Sequence, residues 1–310
     1  MIELKTSERV SYAAGIDLGG TFIKAGIVES TGKIIGEHKL DTFSNVSPNK
    51  VISQIEKAIT EVSKKFKNEI SGIGIGSPGI VRDGKVQYPP NFKGWGIVDL
   101  KKEIEDRFGK KVSVNNDAKC AGLAEIRFGH GKKIKNFIFL TLGTGIGGAI
   151  VINGSLYTGE KNGAGEFGQV TINFNGPECL GGNQGAVEAY LGRRYFLKNE
   201  KKDIKKLGKD IDFIDIHKLA KKGNKTAKQL FKRYGFYLGI ALTNYFNLMD
   251  VRTAVLGGGI SNAYEYFIKE CSKTIKERSL KTIRDNFQVL QSKIHNDAGV
   301  LGAAALIFNL

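Results

Sequence analysis

The sequence predicts an α/β chain made of two related domains. Three observations carry this. A strand-turn-strand-turn-strand pattern occurs twice, helical apolar stretches alternate with short apolar runs, and a length of 310 residues suits two domains of about 150 residues each.

The first copy begins with the apolar run Tyr12–Ile16, which ends in Asp17-Leu18-Gly19-Gly20-Thr21. Phe22–Val28 is the second strand, Ser30-Thr31-Gly32-Lys33 a turn, and Ile34-Ile35 the third. Val51, Ile55, Ile59, Val62 and Phe66 then recur at helical spacing. Asp99–Gly109 reads as a helix with Leu100, Ile104 and Phe108 on one face. Val112-Ser113-Val114 reads as a strand ending in Asn115-Asn116-Asp117, and helix resumes from Ala118 to Phe128. The second copy runs from Phe137 through Thr141-Leu142-Gly143-Thr144-Gly145 into the strand Ala149–Ile152 and the turn Asn153-Gly154. Asp17 aligns with Thr141, and Gly19-Gly20 with Gly143-Thr144, about 120 residues on, as expected of a duplicated domain. A helix with Leu230, Tyr234, Leu238, Ala241, Tyr245 and Leu248 on one face precedes the buried strand Thr253–Leu256, which ends in Gly257-Gly258-Gly259. The final helix, Ala298–Phe308, is expected to fold back onto the first domain, its glycines and alanines allowing close packing. The expected domains are thus 1–118 plus 298–310, the smaller, and 119–297, the larger.

Composition excludes several classes. Apolar residues make up 41% and charged residues 25%, which argues against disorder and coiled coil. The 40 glycines, with only 5 prolines and no G-X-Y repeat, point to tight turns. The net charge of +16 comes from lysines spread along the chain or interleaved with Asp203 and Asp210, a solvated surface more than a nucleic-acid groove. Cys120, Cys179 and Cys271 are too few and too scattered for a disulfide framework. Met1–Val10 lacks the apolar core of a leader, and no apolar stretch approaches the roughly 20 residues that span a bilayer. The expectation is a cytoplasmic protein with neither membrane nor nucleic acid as partner.

The glycine turns carry the chemistry. Gly143-Thr144-Gly145-Ile146-Gly147-Gly148 satisfies G-x-G-x-x-G, but a strand follows where a dinucleotide site needs a helix. There is no G-x-x-x-x-G-K-[ST] either. What remains is a pair of hairpin turns whose backbone N–H groups can approach an anion closely, each with a threonine hydroxyl. They read as two jaws of a phosphate clamp, with a cleft between the domains that closes on substrate. Gly257-Gly258-Gly259 reads as a flat backbone surface for a nucleotide, since three glycines in a row serve no packing purpose. Asp117, at the end of a strand, is either an N-cap or a catalytic carboxylate at the sheet edge where α/β sites gather. The helix N-terminus is expected to lower its pKa, which phosphoryl transfer tolerates.

Asp17-Leu18-Gly19-Gly20-Thr21, Gly76-Ser77-Pro78-Gly79, Pro90-Asn91-Phe92-Lys93-Gly94-Trp95, Asn116-Asp117, Leu142–Gly148 and Leu256–Gly259 together resemble the ROK family of sugar kinases, within the actin-like ATPase superfamily. The resemblance implies a duplicated actin-like fold and transfer of phosphate from ATP, with Mg2+, to a hexose, glucose first. It implies that Asp17, Gly19, Gly20, Thr21 and Lys24 face the phosphates and magnesium from one domain, that Gly143, Thr144 and Gly145 face them from the other, and that Gly257, Gly258 and Gly259 border the adenosine. Asp117 matches the general base. Gly79, Asn91, Asn116, Glu166, Gln169 and Glu188 fall at the sugar, where a polyol needs acceptors and two-way amides. Dimers or tetramers are common in the family, so a homo-oligomer is expected. Fructose, mannose, an N-acetyl amino sugar or a β-glucoside are the alternative substrates. Two other classes are the alternatives: a transcriptional repressor of the family, disfavoured because the first strand starts near Tyr12 and leaves no room for a preceding helix-turn-helix, and a sugar-sensing regulator without catalysis, disfavoured because Asp17, both glycine turns and Asp117 are intact.

One departure is plain. Family members hold a structural zinc through G-E-x-G-H and C-x-C-G-x-x-G-C-x-E, whereas here the ligand positions read Gln169, Cys179, Gly181 and Ala186. One thiol cannot hold the ion, and His130, His217 and His295 lie outside the motif. No metal is therefore expected beyond magnesium with the nucleotide, and hydrogen bonds and packing are expected to hold the 173–185 loop.

Overall fold

The computed structural model describes residues 10–66 and 69–308; nearly all of the N-terminal stretch read for a leader lies outside the described residues. The chain divides into two compact units, Met1–Phe128 with Asp297–Leu310 and Gly129–Asn296.

The first unit contains β1 (Tyr12–Leu18), β2 (Phe22–Glu29), β3 (Ile34–Asp41), α1 (Pro48–Ser63), β4 (Ile70–Ser77), a small antiparallel sheet of β5 (Ile80–Arg82), β6 (Lys85–Gln87) and β7 (Ile97–Asp99), α2 (Leu100–Phe108), β8 (Val112–Asn116) and α3 (Asp117–Phe128). The second contains β9 (Phe137–Leu142), β10 (Ile146–Ile152), β11 (Ser155–Tyr157), α4 (Val187–Leu191), α5 (Arg193–Asn199), α6 (Lys201–Ile204), α7 (Phe213–Lys221), α8 (Lys225–Met249), β12 (Thr253–Gly257), α9 (Tyr264–Arg278), α10 (Lys281–Arg284) and β13 (Gln288–Gln291). The chain then returns to the first unit as α11 (Ala298–Ala305).

The two main sheets share one topology. The first has the order β3-β2-β1-β4-β8 and the second β11-β10-β9-β12-β13. In each, the three strands of the meander pair antiparallel and the remaining two join in parallel. The duplication read from the two glycine turns is therefore a duplication of whole sheets.

Local sequence explains the helices that cover them. Ser47 caps α1, accepting from Lys50 N–H at 3.3 Å, with Pro48 at the first helical position. Val51, Ile55, Ile59 and Val62 form its buried stripe, while Phe66 lies beyond the helix end with its ring 6.1 Å from that of Tyr12. On α8 the expected face is buried at Leu230, Tyr234, Leu238, Ala241 and Tyr245, but Leu248 is 84% exposed. Met249, four residues after Tyr245, packs on the core in its place, as the 3.6-residue period allows.

The first unit closes through α11, which is shorter than the expected 298–308. A Cβ on Gly15 would stand 2.1 Å from the Val300 carbonyl oxygen, one on Gly74 1.7 Å from that of Ala303, and one on Gly302 1.7 Å from that of Cys120. Helix and sheet backbones thus touch with no side chain between them, and α3 seals the other side. The expected boundary at 118 would cut α3 in its first turn. Because α3 packs on α11, the first unit extends to Phe128. Among the described residues no helix is long and apolar enough to cross a membrane.

Candidate active site

In the first unit the β1–β2 turn is Gly19-Gly20-Thr21. Gly19 N–H donates to the Phe22 carbonyl at 3.0 Å, and three further bonds brace the turn from the end of β3. Thr42 N–H donates to the Thr21 carbonyl at 2.9 Å, Thr42 Oγ1 to the Gly19 carbonyl at 2.6 Å and Ser44 Oγ to the Gly20 carbonyl at 2.7 Å. Open space surrounds the position a Cβ would take at Gly20, and Thr21 is exposed. Asp17 lies directly opposite Lys24 in the β1–β2 register.

The end of β8 is organised by Asn116. Its Oδ1 accepts from Ala118 N–H at 3.0 Å and Lys119 N–H at 3.2 Å, and its Nδ2 donates to the Gly79 carbonyl at 3.0 Å. Asn116 thus fills the cap role that was the alternative reading of Asp117, whose Oδ1 accepts from Ala118 N–H at 2.8 Å. Gly79 has φ 87°, and a Cβ there would stand 2.8 Å from the Gln87 carbonyl oxygen, so only glycine fits. Asn91 is exposed, with φ 67°. Its loop is anchored by the edge-on Phe92–Trp95 pair, with centroids 5.3 Å apart, and by Lys93 N–H donating to the Ser44 carbonyl at 2.8 Å. Ser44 therefore ties the Asn91 loop to the glycine turn.

Burial raises the Asp17 carboxyl from 3.8 to about 6, helped by the charge of Asp117 and partly offset by Lys24. Burial also raises Asp117, against hydrogen bonds from Ala118, its own backbone and Asn116. This runs against the expectation of an acid held low by a helix N-terminus: burial outweighs the hydrogen bonds that would lower it, which makes Asp117 a stronger base than an exposed aspartate. A carboxyl with a raised folded pKa binds its proton more tightly when folded, so its contribution to stability is full below the unfolded pKa and is lost as pH rises through about 6. Asp17→Asn removes that loss. Its stability relative to wild type is expected to rise between about pH 4 and 6, by on the order of 3 kcal/mol for roughly two units, in urea unfolding of the nucleotide-free protein. A pH-independent difference would refute the assignment.

In the second unit the β9–β10 turn is Gly143-Thr144-Gly145, where Gly143 N–H donates to the Gly145 carbonyl at 3.1 Å. The junction of α4 and α5 holds it: Arg193 N–H donates to the Gly143 carbonyl at 3.0 Å, and Ile146 N–H donates to Glu188 Oε2 at 3.0 Å. Thr144 is exposed, and the Cβ position at Gly143 is open. The glycines after β12 divide. A Cβ on Gly257 would stand 2.7 Å from the Phe139 ring and one on Gly258, which has φ 81°, 2.5 Å from the Leu142 carbonyl oxygen, whereas nothing lies within 4 Å at Gly259. The expectation that packing explains none of the three is wrong for the first two, which let β12 and its turn close on β9.

Glu166 is exposed, on a segment that lies on β10: a Cβ on Gly168 would stand 2.3 Å from the Ile146 carbonyl oxygen. Gln169 turns its carboxamide into the following loop, where its Oε1 accepts from Cys179 Sγ at 3.5 Å and a Cβ on Gly181 would stand 2.1 Å away. Asn183 Nδ2 donates to the Gln169 carbonyl at 2.6 Å and to Thr171 Oγ1 at 3.0 Å, Asn173 Nδ2 donates to Tyr190 Oη at 2.8 Å, and Gly185 N–H donates to the Pro177 carbonyl at 2.8 Å. The four positions that would ligate zinc include two, Gly181 and Ala186, without a side-chain donor atom, so these residues do not fit the ion.

A sequence model of the ROK family matches residues 13–309. The chain belongs to that family. It is 35% identical to the glucokinase of Thermotoga maritima, over 94% of this chain and 96% of that protein. It is 30% identical to the xylose repressor of Bacillus subtilis, over 99% of this chain and 80% of the repressor. Among solved structures, a ROK family glucokinase from Streptomyces griseus, in complex with glucose and AMPPNP, superposes with a TM-score of 0.85 at 30% identity, covering 96% of this chain and 99% of that one. Three residues that touch the two turns escaped the sequence reading: Thr42, Ser44 and Arg193. The hydroxyls of Thr42 and Ser44, just past β3, were the only available signal.

Proposed function

We propose that this ROK protein is an ATP-dependent hexose kinase acting on glucose. Asp117 carries the reading: a desolvated carboxylate with a raised pKa, relieved of the capping role by Asn116, in a chain similar to glucokinases. In this reading Asp117 accepts the proton of the sugar C6 hydroxyl as that oxygen bonds to the γ-phosphorus, and ADP departs with the bridging oxygen's electrons. Gly19, Gly20, Thr21 and Lys24 of the first unit and Gly143, Thr144 and Gly145 of the second serve the phosphates, and Gly257–Gly259 the adenosine, with Gly259 the open position. Asp17 supplies the hard oxygen donor that Mg2+ prefers, and the ion would neutralise phosphate charge. Gly79, Asn91, Asn116, Glu166 and Glu188 serve the sugar, whereas Gln169, whose carboxamide packs into the following loop against Cys179 and Gly181, braces that loop instead. The three cysteines are free and buried, which suits a reducing cytoplasm.

A panel of hexoses with ATP and magnesium, followed by ADP release, tests this; glucose is expected to give the highest kcat/KM. Sugar binding without ADP release from any hexose would instead favour a sensor, in line with the xylose-repressor relatives. Protein purified without chelator is expected to carry far less than one zinc per chain by elemental analysis, and stoichiometric zinc would overturn the reading of the 173–185 loop.

A further inference from the structure

We propose that Glu188 couples the two substrates: one carboxylate oxygen holds the nucleotide turn while the other receives a sugar hydroxyl, so each substrate tightens the other. The inference rests on the kinase reading and adds a bridge to it.

The contacts that define the bridge lie within the second unit. Glu188 Oε2 accepts from Ile146 N–H at 3.0 Å, at the residue where the turn becomes β10. The same oxygen occupies the space a side chain would need at Gly145, since a Cβ there would stand 2.5 Å from Oε2 and 3.3 Å from the carboxyl carbon. A side chain at Gly145 could therefore be accommodated only by moving the Glu188 carboxylate. The main chain around Glu188 grips the turn as well. Gly192 N–H donates to the Glu188 carbonyl at 2.9 Å, a Cβ on Gly192 would stand 3.3 Å from the Thr144 carbonyl oxygen, and Arg193 N–H bonds to Gly143. Of these holds, only the Glu188 carboxylate has a second oxygen to offer a ligand. An ionised carboxylate is acceptor-only, with sites on both oxygens, and the two oxygens move together on one carbon. A hydroxyl bound at Oε1 fixes the carboxylate plane and so fixes Oε2 under the turn. Nucleotide then meets a turn whose ordering has already been met, which is positive coupling without a change of fold. Linkage makes the effect reciprocal and typically about 5–150-fold.

Calorimetric titration of glucose, with and without AMPPNP and magnesium, tests this in wild type, Gly145→Ala and Glu188→Asp. Wild type is expected to bind glucose at least about 5-fold tighter with AMPPNP present. In Gly145→Ala the methyl displaces the carboxylate, so the glucose Kd measured without any nucleotide is expected to rise about 10-fold or more, although the change lies in the nucleotide turn. An unchanged glucose Kd in this variant, with AMPPNP binding alone weakened, would overturn the bridge. Should Gly145→Ala lack a cooperative melt, Glu188→Asp decides, because it keeps the charge but withdraws it by one methylene. It is expected to weaken AMPPNP binding measured alone and to bring the coupling factor to about one. Weakened glucose binding with AMPPNP affinity intact would assign Glu188 to the sugar only and overturn the proposal. Wild type that binds glucose without coupling overturns it too, whereas wild type that binds no glucose overturns the kinase reading instead.

Discussion

Asp117→Asn is expected to give a folded protein that binds its sugar almost normally and turns over about 10²–10⁴-fold more slowly, the usual contribution of a general base. The substitution is nearly isosteric. An amide oxygen can still accept from Ala118 N–H, and the cap of α3 belongs to Asn116, so neither the helix nor the Gly79 turn loses its anchor. What disappears is a carboxylate whose proton affinity burial has raised, bringing it nearer to neutrality than an exposed aspartate. The variant carries a second signature. Asp117 is one of the charges that lift Asp17 to about 6, so the Asp17 carboxyl should titrate lower in Asp117→Asn. ADP-release kinetics, calorimetry with glucose and the pH dependence of unfolding read the three effects separately. Near-normal kcat in the folded variant would remove Asp117 from the chemistry.

The second large effect concerns stability. Gly74→Ala places a methyl where 1.7 Å separates its carbon from the Ala303 carbonyl oxygen and 2.5 Å from the carbonyl carbon. Both obstacles are main chain, so no rotamer can yield and α11 must lift from the sheet. Overpacking of this kind destabilises by about 1–3 kcal/mol, occasionally more, and here it acts where helix and sheet backbones meet. Gly163 is the matched control, because nothing lies within 4 Å of its Cβ position; Gly163→Ala is expected to stay within about 0.5 kcal/mol of wild type. Equal urea midpoints for the two variants would contradict the close approach of α11.

The sequence was most readable where a motif is local. Asp17–Thr21 and Thr141–Gly145 announce strand ends and tight turns within five residues, and their recurrence exposed the duplication. What local reading missed depends on partners far along the chain. Glu188 lies 42 residues from Ile146, and no spacing rule links a helix carboxylate to a hairpin N–H. Gly257 and Gly258 looked dispensable to packing because Phe139 and Leu142, their neighbours across the β9–β12 ladder, are more than a hundred positions upstream. The direction of the Asp117 shift was read the wrong way for a related reason: a helix start is visible in sequence, whereas desolvation depends on everything packed around it. Leu248 failed more simply, since a helical stripe can leave Tyr245 by three residues or by four, and burial chose Met249.

The placement of α11 also bears on how the protein is made. The ribosome must read through the whole of Gly129–Asn296, roughly 170 codons, before α11 can reach the sheet begun at Tyr12. At about 5–20 residues per second that is a wait of some ten to thirty seconds. Throughout it, the sheet face at Gly15 and Gly74 has no α11 to cover it, and by its end the second unit is already fully synthesised. Vectorial synthesis thus inverts the order of completion: the unit translated first is finished last.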